Sequence, residues 1–163
     1  EEESTSVPRL ENVNSQFWYA GREDTEEAWL SVGRYFPDDT YWVQKSRQQL
    51  ARDYLMHYRY DKAKEIFDEF ANLGGPDESL TAFGLAGQFS LFVQEENYRE
   101  AARKLDLLKP LKNGFVKSPP YMQQLFFQTY ENAWKRGHLA PDPKWQEWMD
   151  EQFAEEETDA GSP

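Results

Sequence analysis

The sequence contains no cysteine and only two histidines, and it has no long hydrophobic run. The absence of cysteine excludes disulfide bonds and cysteine-based metal or nucleophile chemistry. No stretch approaches the roughly 20 apolar residues of a transmembrane helix, so we expect no membrane insertion of this segment. His57 and Asp61, four residues apart, have a metal-ligand spacing, but one histidine and one aspartate make an incomplete site. We therefore expect no metal and no cofactor, and we interpret both histidines as structural.

Sequence patterns typical of catalysis are missing as well. There is no phosphate-binding glycine loop of either common type. Acidic pairs such as Glu95 and Glu96 have no identifiable cleft around them, so paired-carboxylate chemistry is unsupported. We expect a protein that is not an enzyme, and a helical accessory domain of an enzyme is the most distant alternative.

The acidic charge lies at the two ends of the chain. The net charge is -12, and residues 1–40 carry 3 basic and 10 acidic side chains. Residues 137–163 carry 1 basic and 8 acidic side chains, whereas residues 41–136 have 14 basic and 12 acidic ones. Acidic ends disfavour nucleic-acid binding, which depends on neutralising phosphates. We expect no nucleic-acid partner and interpret the ends as solubilising segments.

One short phrase recurs along the chain and predicts a helical repeat. Tyr60-Asp61-Lys62-Ala63 and Tyr98-Arg99-Glu100-Ala101 each open an amphipathic run, and a weaker copy centres on Ala28. The three alanines are separated by 35 and 38 residues, a period typical of stacked helical hairpins. Such hairpins bury their apolar faces against each other and often present a binding surface.

Helical periodicity and end signals predict an all-α fold of about seven to eight helices and no strand series. Ser15 is the expected cap of the first helix and Asp24 or Thr25 that of the second. The later helices are predicted over about 41–58, 61–73, 78–94, 98–108, 121–135 and 144–153, with a loop over 109–120. On the last helix, Trp145 and Trp148 share a face that we interpret as a cap over the preceding hairpin.

The positions of the predicted helices and the composition of the two ends also predict the domain organisation. Residues 1–14 are expected to be a disordered acidic tail or linker, residues 15–153 one helical-repeat domain, and residues 154–163 a disordered acidic tail. The chain begins with Glu-Glu-Glu instead of Met. We therefore expect a segment of a longer protein or a processed product, and the sequence leaves its location, cytoplasmic or extracytoplasmic, unknown.

The segment from residue 50 to residue 67 resembles the tetratricopeptide repeat (TPR). In that family the first helix carries a large residue, a small residue and then an aromatic one, and the second helix opens with a small residue followed by an aromatic one. Leu50, Ala51, Tyr54, Ala63 and Phe67 stand at those spacings. The resemblance implies a right-handed stack of antiparallel helical hairpins, an α-α superhelix.

Other positions depart from the family pattern. Phe70 stands where the family has a small residue, and Pro76 lies one residue later than the family's closing proline. In the copy over residues 88–108, Phe89 replaces the small residue of the first helix, although Ala101 fits. The chain also lacks the Lys/Asn pattern of the family's carboxylate clamp.

The resemblance further implies that the first helix of each hairpin lines a concave groove. On the helix over 41–58 the groove-facing positions would be Lys45, Gln48, Gln49, Arg52, Leu55 and Met56. On the helix over 78–94 they would be Phe83, Ala86, Gly87, Ser90 and Val93. The alternatives are that the first set is ordinary solvated surface and that the second is covered by a later helix or the tail.

Together these features predict a non-catalytic protein–protein interaction (scaffold) domain that docks a peptide or helix of a partner. Lysine and arginine bind oxygen anions directly, so an acidic peptide or a C-terminal carboxylate would suit the first set of positions. We expect a monomer or a weak homo-oligomer. The alternative is a structural spacer or an oligomerisation domain that associates through an aromatic face.

Overall fold

The computed structural model describes residues 6–160, apart from the side chains of residues 153 and 155–160. These residues contain no strand, so the all-α prediction is confirmed. Eight helices of ten or more residues are described, in agreement with the predicted number. They are α1 (Val13–Glu23), α2 (Glu26–Tyr35), α3 (Thr40–Met56), α4 (Tyr60–Ala71), α5 (Glu78–Gln94), α6 (Tyr98–Leu108), α8 (Pro120–Lys135) and α9 (Pro143–Ala160).

The segment between α6 and α8 is more ordered than the predicted loop. Lys109–Leu111 form a turn of 3₁₀ helix and Lys112–Phe115 form the short helix α7. A Cβ atom added at Gly114 would lie 2.9 Å from the backbone carbon of Glu78. That distance is below any ordinary contact, so α7 can approach the start of α5 only because residue 114 is glycine.

The chain divides into two compact units, a first unit of Glu1–Glu69 and a second unit of Phe70–Pro163. The sequence predicts one repeat domain over residues 15–153 and does not anticipate this division. The helix α9 continues to Ala160, across most of the segment 154–163 for which a disordered tail is expected. Residues 161–163 lie outside the described part of the chain.

The start of the first unit differs from the expected tail. Asn12, and not Ser15, caps α1, because the Asn12 side chain accepts a hydrogen bond of 2.9 Å from the Ser15 amide. Before the cap, the Gln16 side chain bonds the Leu10 amide and the Pro8 carbonyl. Residues 8–12 are therefore held against α1, while residues 1–5 of the expected tail lie outside the described residues.

Three helices end in the same left-handed turn. Tyr58, Glu96 and Gly137 have φ angles of 58°, 59° and 76°, and each follows a helix, namely α3, α5 and α8. At each turn the next amide bonds a carbonyl five residues back, as Arg59 does with Tyr54 at 2.8 Å. This pattern satisfies carbonyl groups that the helix end leaves free. The hairpin turn thus recurs along the chain as the sequence repeat does.

The alanines of the repeated phrase occupy buried positions. Ala28 is 1% exposed, and Ala63 and Ala101 are 0% exposed. In the second unit, α5 is buried over ten consecutive residues, Ala82 to Leu91. Trp145 of α9 is also buried and lies edge-on to Phe126 at 6.1 Å between ring centroids, in agreement with its interpretation as a cap.

Candidate functional site

One face of α3 carries a row of side chains that we call the α3 stripe. Its members are Tyr41, Lys45, Gln49, Arg52 and Met56, which are spaced four, four, three and four residues apart. That spacing places them on one helix face. Tyr41 and Met56 are 62% and 59% exposed, and the three residues between them are half-buried. The stripe combines apolar ends with a polar, cationic centre.

Among the described residues, neither cation of the α3 stripe forms an ion pair within 4 Å, although the charge of Arg52 acts on the neighbouring Asp53 carboxylate. The Lys45 ammonium lies 5.7 Å from the centroid of the Tyr41 ring, within the range of a cation–π contact. The other arginines of α2, α3 and the following turn, namely Arg34, Arg47 and Arg59, all contact glutamates. Residues 1–69 carry nine basic and fifteen acidic side chains, so acids are not scarce there. Lys45 and Arg52 are left available to an external anion.

The predicted groove residues of α3 are only partly brought together. Lys45, Gln49, Arg52 and Met56 belong to the α3 stripe, and Leu55 is half-buried beside it. Gln48, in contrast, is 4% exposed and points away from solvent. It therefore does not belong to an accessible surface.

Tyr41 belongs to the α3 stripe but is not among the candidate site residues predicted from the sequence. The available signal was its spacing, because a residue four positions before Lys45 lies on the same face.

The predicted groove residues of α5 are not accessible in the second unit. Phe83 and Ala86 are 0% exposed, and Gly87 is also buried. Ser90 is 6% exposed, and its hydroxyl donates a hydrogen bond of 2.9 Å to the Ala86 carbonyl. Only Val93, near the helix end, is half-buried. A partner could not reach Phe83 or Ser90 without unpacking α5, so we do not retain them as binding residues.

A charge network joins the start of α2 to the α3–α4 hairpin. The Glu26 carboxylate accepts hydrogen bonds from Tyr54 at 3.2 Å, Arg59 at 2.7 Å and Lys62 at 3.2 Å. Burial raises the pKa of Glu26, but Lys62, Arg59 and Tyr54 together outweigh it, so the pKa lies below its ordinary value. Burial, with the charge of Glu26, raises the pKa of Tyr54 to about 12. These groups satisfy one another and have a structural role.

The histidines also have local roles. The Nδ1 atom of His57 lies 2.8 Å from the Asp53 carbonyl oxygen and 3.4 Å from its carboxylate. Burial raises the pKa of the Asp53 carboxyl group. His138 stacks on Tyr98 with 4.0 Å between ring centroids. Among the residues that the structure describes, no group of three or more histidine or carboxylate side chains could hold a metal ion.

An aromatic cluster in the first unit continues from the α3 stripe. Phe17 lies 5.7 Å from Trp18 and 4.9 Å from Trp42 between ring centroids, and Trp42 lies 5.2 Å from Tyr41. Trp18 is 64% exposed. We call Phe17, Trp18, Trp42 and Tyr41 the aromatic cluster. Phe17 and Trp42 are half-buried, while the flat faces of Trp18 and Tyr41 are exposed.

Comparisons with protein-family models, curated proteins and solved structures found no match to this chain. Within residues 6–160, no helix has both the length and the hydrophobicity needed to cross a membrane.

Proposed function

We propose that this protein is a non-catalytic interaction domain that docks a peptide or helix of a partner protein on the α3 stripe. The observation that carries the proposal is the pair of cations, Lys45 and Arg52, that form no ion pair within 4 Å among the described residues of an acid-rich unit. An unpaired guanidinium group beside apolar surface is a common binding element for carboxylates.

The geometry of the α3 stripe favours a partner with regularly placed acidic residues. Lys45 and Arg52 are seven residues apart, which corresponds to about 10 Å along a helix. An extended peptide rises about 3.3 Å per residue, so two acids three positions apart would reach both cations. The exposed Tyr41 and Met56 at the two ends would contact apolar residues of the same peptide. The full stripe would hold about seven extended residues.

The resemblance to the tetratricopeptide repeat supports the same surface. In that family the first helix of a hairpin lines the binding groove, and α3 is the first helix of the hairpin that matches best. Under this proposal the domain is a scaffold within a larger protein. The partner carries acidic side chains or a C-terminal carboxylate.

Peptide selection tests the proposal without a known partner. Peptides displayed on phage would be selected on the wild-type domain and measured by fluorescence polarisation. We expect enrichment of acidic residues three positions apart. We also expect at least a tenfold loss of affinity in the double variant Lys45→Glu, Arg52→Glu, since it reverses both charges at the contact.

A matched control separates local contacts from net charge. The double variant Arg99→Glu, Lys117→Glu makes the same change in net charge at exposed positions of the second unit. It should bind the selected peptides as the wild type does. Equal affinities for the wild type and both double variants, with unchanged thermal unfolding, would contradict docking on the α3 stripe.

The exposure of the aromatic cluster favours a second candidate function, self-association. Trp18 is 64% and Tyr41 is 62% exposed, and such rings are enriched at protein interfaces. Light scattering over a range of protein concentrations distinguishes the two functions. A mass that rises with concentration and falls again in Trp18→Gln would favour self-association, whereas a constant monomer mass would favour docking.

A further inference from the structure

A pocket of about 240 Å³ lies between α2 and α3 in the first unit. It is lined by Trp29, Leu30, Gly33 and Arg34 of α2 and by Val43, Ser46, Arg47 and Leu50 of α3. At 100° per residue, these α3 positions lie on the opposite side of the helix from the α3 stripe. The pocket is therefore a separate feature, and its occupancy does not depend on the proposed peptide docking.

Arg47 lines the pocket and carries an unsatisfied hydrogen-bond donor. One end of its guanidinium group pairs with Glu69. Its Nε–H group is buried and has no acceptor among the described residues. A buried donor without an acceptor is unfavourable, so a ligand oxygen that met this group after a rotation of the Arg47 side chain would be stabilised.

Arg34 supplies a second cation that a ligand could recruit. Its guanidinium group lies 3.4 Å from Glu27, and both side chains are largely exposed. Exposed ion pairs of this length contribute little to stability, so Arg34 can exchange Glu27 for another carboxylate at small cost. Two arginines that line the same pocket match the planar shape of a carboxylate group.

The remaining wall of the pocket is apolar. Trp29 is 4% exposed and Leu50 is 2% exposed, and Leu30 and Val43 extend this wall. The Ser46 hydroxyl donates to the Val43 carbonyl at 2.7 Å, so its proton is already used. An apolar wall beside two cations suits a ligand with an apolar body and a single anionic group.

Charge and size restrict the ligand further. Glu27 and Glu69 already offset much of the charge of the two arginines, which favours a monoanion over a doubly charged phosphate. The volume of 240 Å³ is smaller than the pockets of about 300 to 1,000 Å³ that hold drug-sized ligands. We infer that the pocket between α2 and α3 binds a small organic monocarboxylate, held by Arg47 and Arg34 with its apolar body against Trp29 and Leu50.

Paired probes that differ only in charge test this inference. N-acetyl-leucine and the neutral N-acetyl-leucinamide would be titrated into the full chain, with the Trp29 indole N–H followed by NMR. We expect saturable shifts with the carboxylate and at least tenfold weaker binding of the amide. Equal affinity for the two probes would overturn the inference, and so would the absence of a chemical-shift change with either probe at about 10 mM.

Variants connect the binding to the pocket. Arg47→Gln should weaken N-acetyl-leucine at least tenfold and Arg34→Gln several-fold, while Arg103→Gln, which alters an exposed arginine paired with Glu100, should have no effect. Gly33→Leu is a second test because it fills the pocket and keeps both arginines. A Cβ at position 33 meets Val43 at an ordinary 3.5 Å. Gly33→Leu should therefore block binding while thermal unfolding stays unchanged, and undiminished binding by both Arg47→Gln and Gly33→Leu would refute the site.

A peptide arm distinguishes the two sources of such a carboxylate. A pentapeptide ending in leucine with a free carboxylate would be compared with N-acetyl-leucine on the same variants. Affinity at least tenfold above that of N-acetyl-leucine identifies a chain terminus as the source, and equal or weaker affinity identifies a free metabolite-sized acid. Both results support the pocket only if Arg47→Gln abolishes the difference between carboxylate and amide probes.

Discussion

The left-handed turn at Glu96 offers a test of the repeated hairpin geometry. Glu96 has a φ angle of 59°, is exposed, and makes no side-chain hydrogen bond or ion pair with a described residue. A left-handed conformation costs an L-residue about 1–2 kcal/mol. Glycine removes that strain but loses about 0.5–1 kcal/mol through the greater freedom of the unfolded chain. We therefore expect Glu96→Gly to raise the free energy of unfolding by about 0.5–1 kcal/mol.

Two control variants separate this strain from a general effect of glycine. Glu95 precedes Glu96 and has a φ angle of -82°, so Glu95→Gly should lower the free energy of unfolding by about 0.5–1 kcal/mol. Gly137 has a φ angle of 76°, and no atom lies within 4 Å of an added Cβ. Gly137→Ala should therefore lose about 1 kcal/mol through backbone strain alone.

Urea unfolding followed by circular dichroism measures all three variants, with thermal unfolding as a second readout. For a chain of this length, 1 kcal/mol corresponds to a shift of about 2–4 °C in the unfolding midpoint. The reasoning is refuted if Glu96→Gly destabilises the protein as much as Glu95→Gly does. That result would show that the residue at the turn is not under strain.

Two further substitutions test the packing and the charge network of the first unit. Glu26→Gln should lower the free energy of unfolding by about 1 kcal/mol at pH 7, because Arg59 and Lys62 lose a shared carboxylate. The folded pKa of Glu26 lies below its unfolded value, so the stabilisation is present above the unfolded pKa and is lost as the pH falls through the folded pKa. Urea unfolding should therefore show wild type and variant converging toward acid pH, and a constant difference would contradict the assignment. Ala63→Trp should destabilise the protein by about 1–3 kcal/mol, because Ala63 is 0% exposed and a larger side chain overpacks the site; unchanged thermal unfolding would rule out this packing.

The bounds of a helix were predictable from the sequence where a capping residue lies directly before its first residue. The predicted bounds of α5 and α6 agree with the structure because both helices have side-chain caps at their starts, namely Asp77 and Asn97. The predicted start of α1 was wrong because two polar residues three positions apart could each serve as the cap. Asn12 and Ser15 are both suitable by type, and only the positions of the following amides decide between them.

The candidate site was predictable only in part, because exposure depends on what packs against a helix. The spacing of Lys45, Gln49 and Arg52 correctly places them on one face of α3. The same argument placed Phe83 and Ser90 in a groove, but α5 is buried over ten consecutive residues. Periodicity shows which residues share a face, and it does not show whether another helix covers that face.

The charge distribution explains how an acidic protein can present a selective cationic surface. The net charge of -12 repels an acidic partner at long range, and salt limits this repulsion to about 8 Å under physiological conditions. If the proposed docking holds, Lys45 and Arg52, which form no ion pair within 4 Å among the described residues, would dominate the interaction with an oxygen anion within that distance. A peptide would then be selected by the match between its acids and these two positions, and not by attraction to the whole molecule. Most other cations of the first unit are paired with glutamate or aspartate. Acidic groups of a partner would therefore gain little binding free energy from contacts with the rest of the first unit.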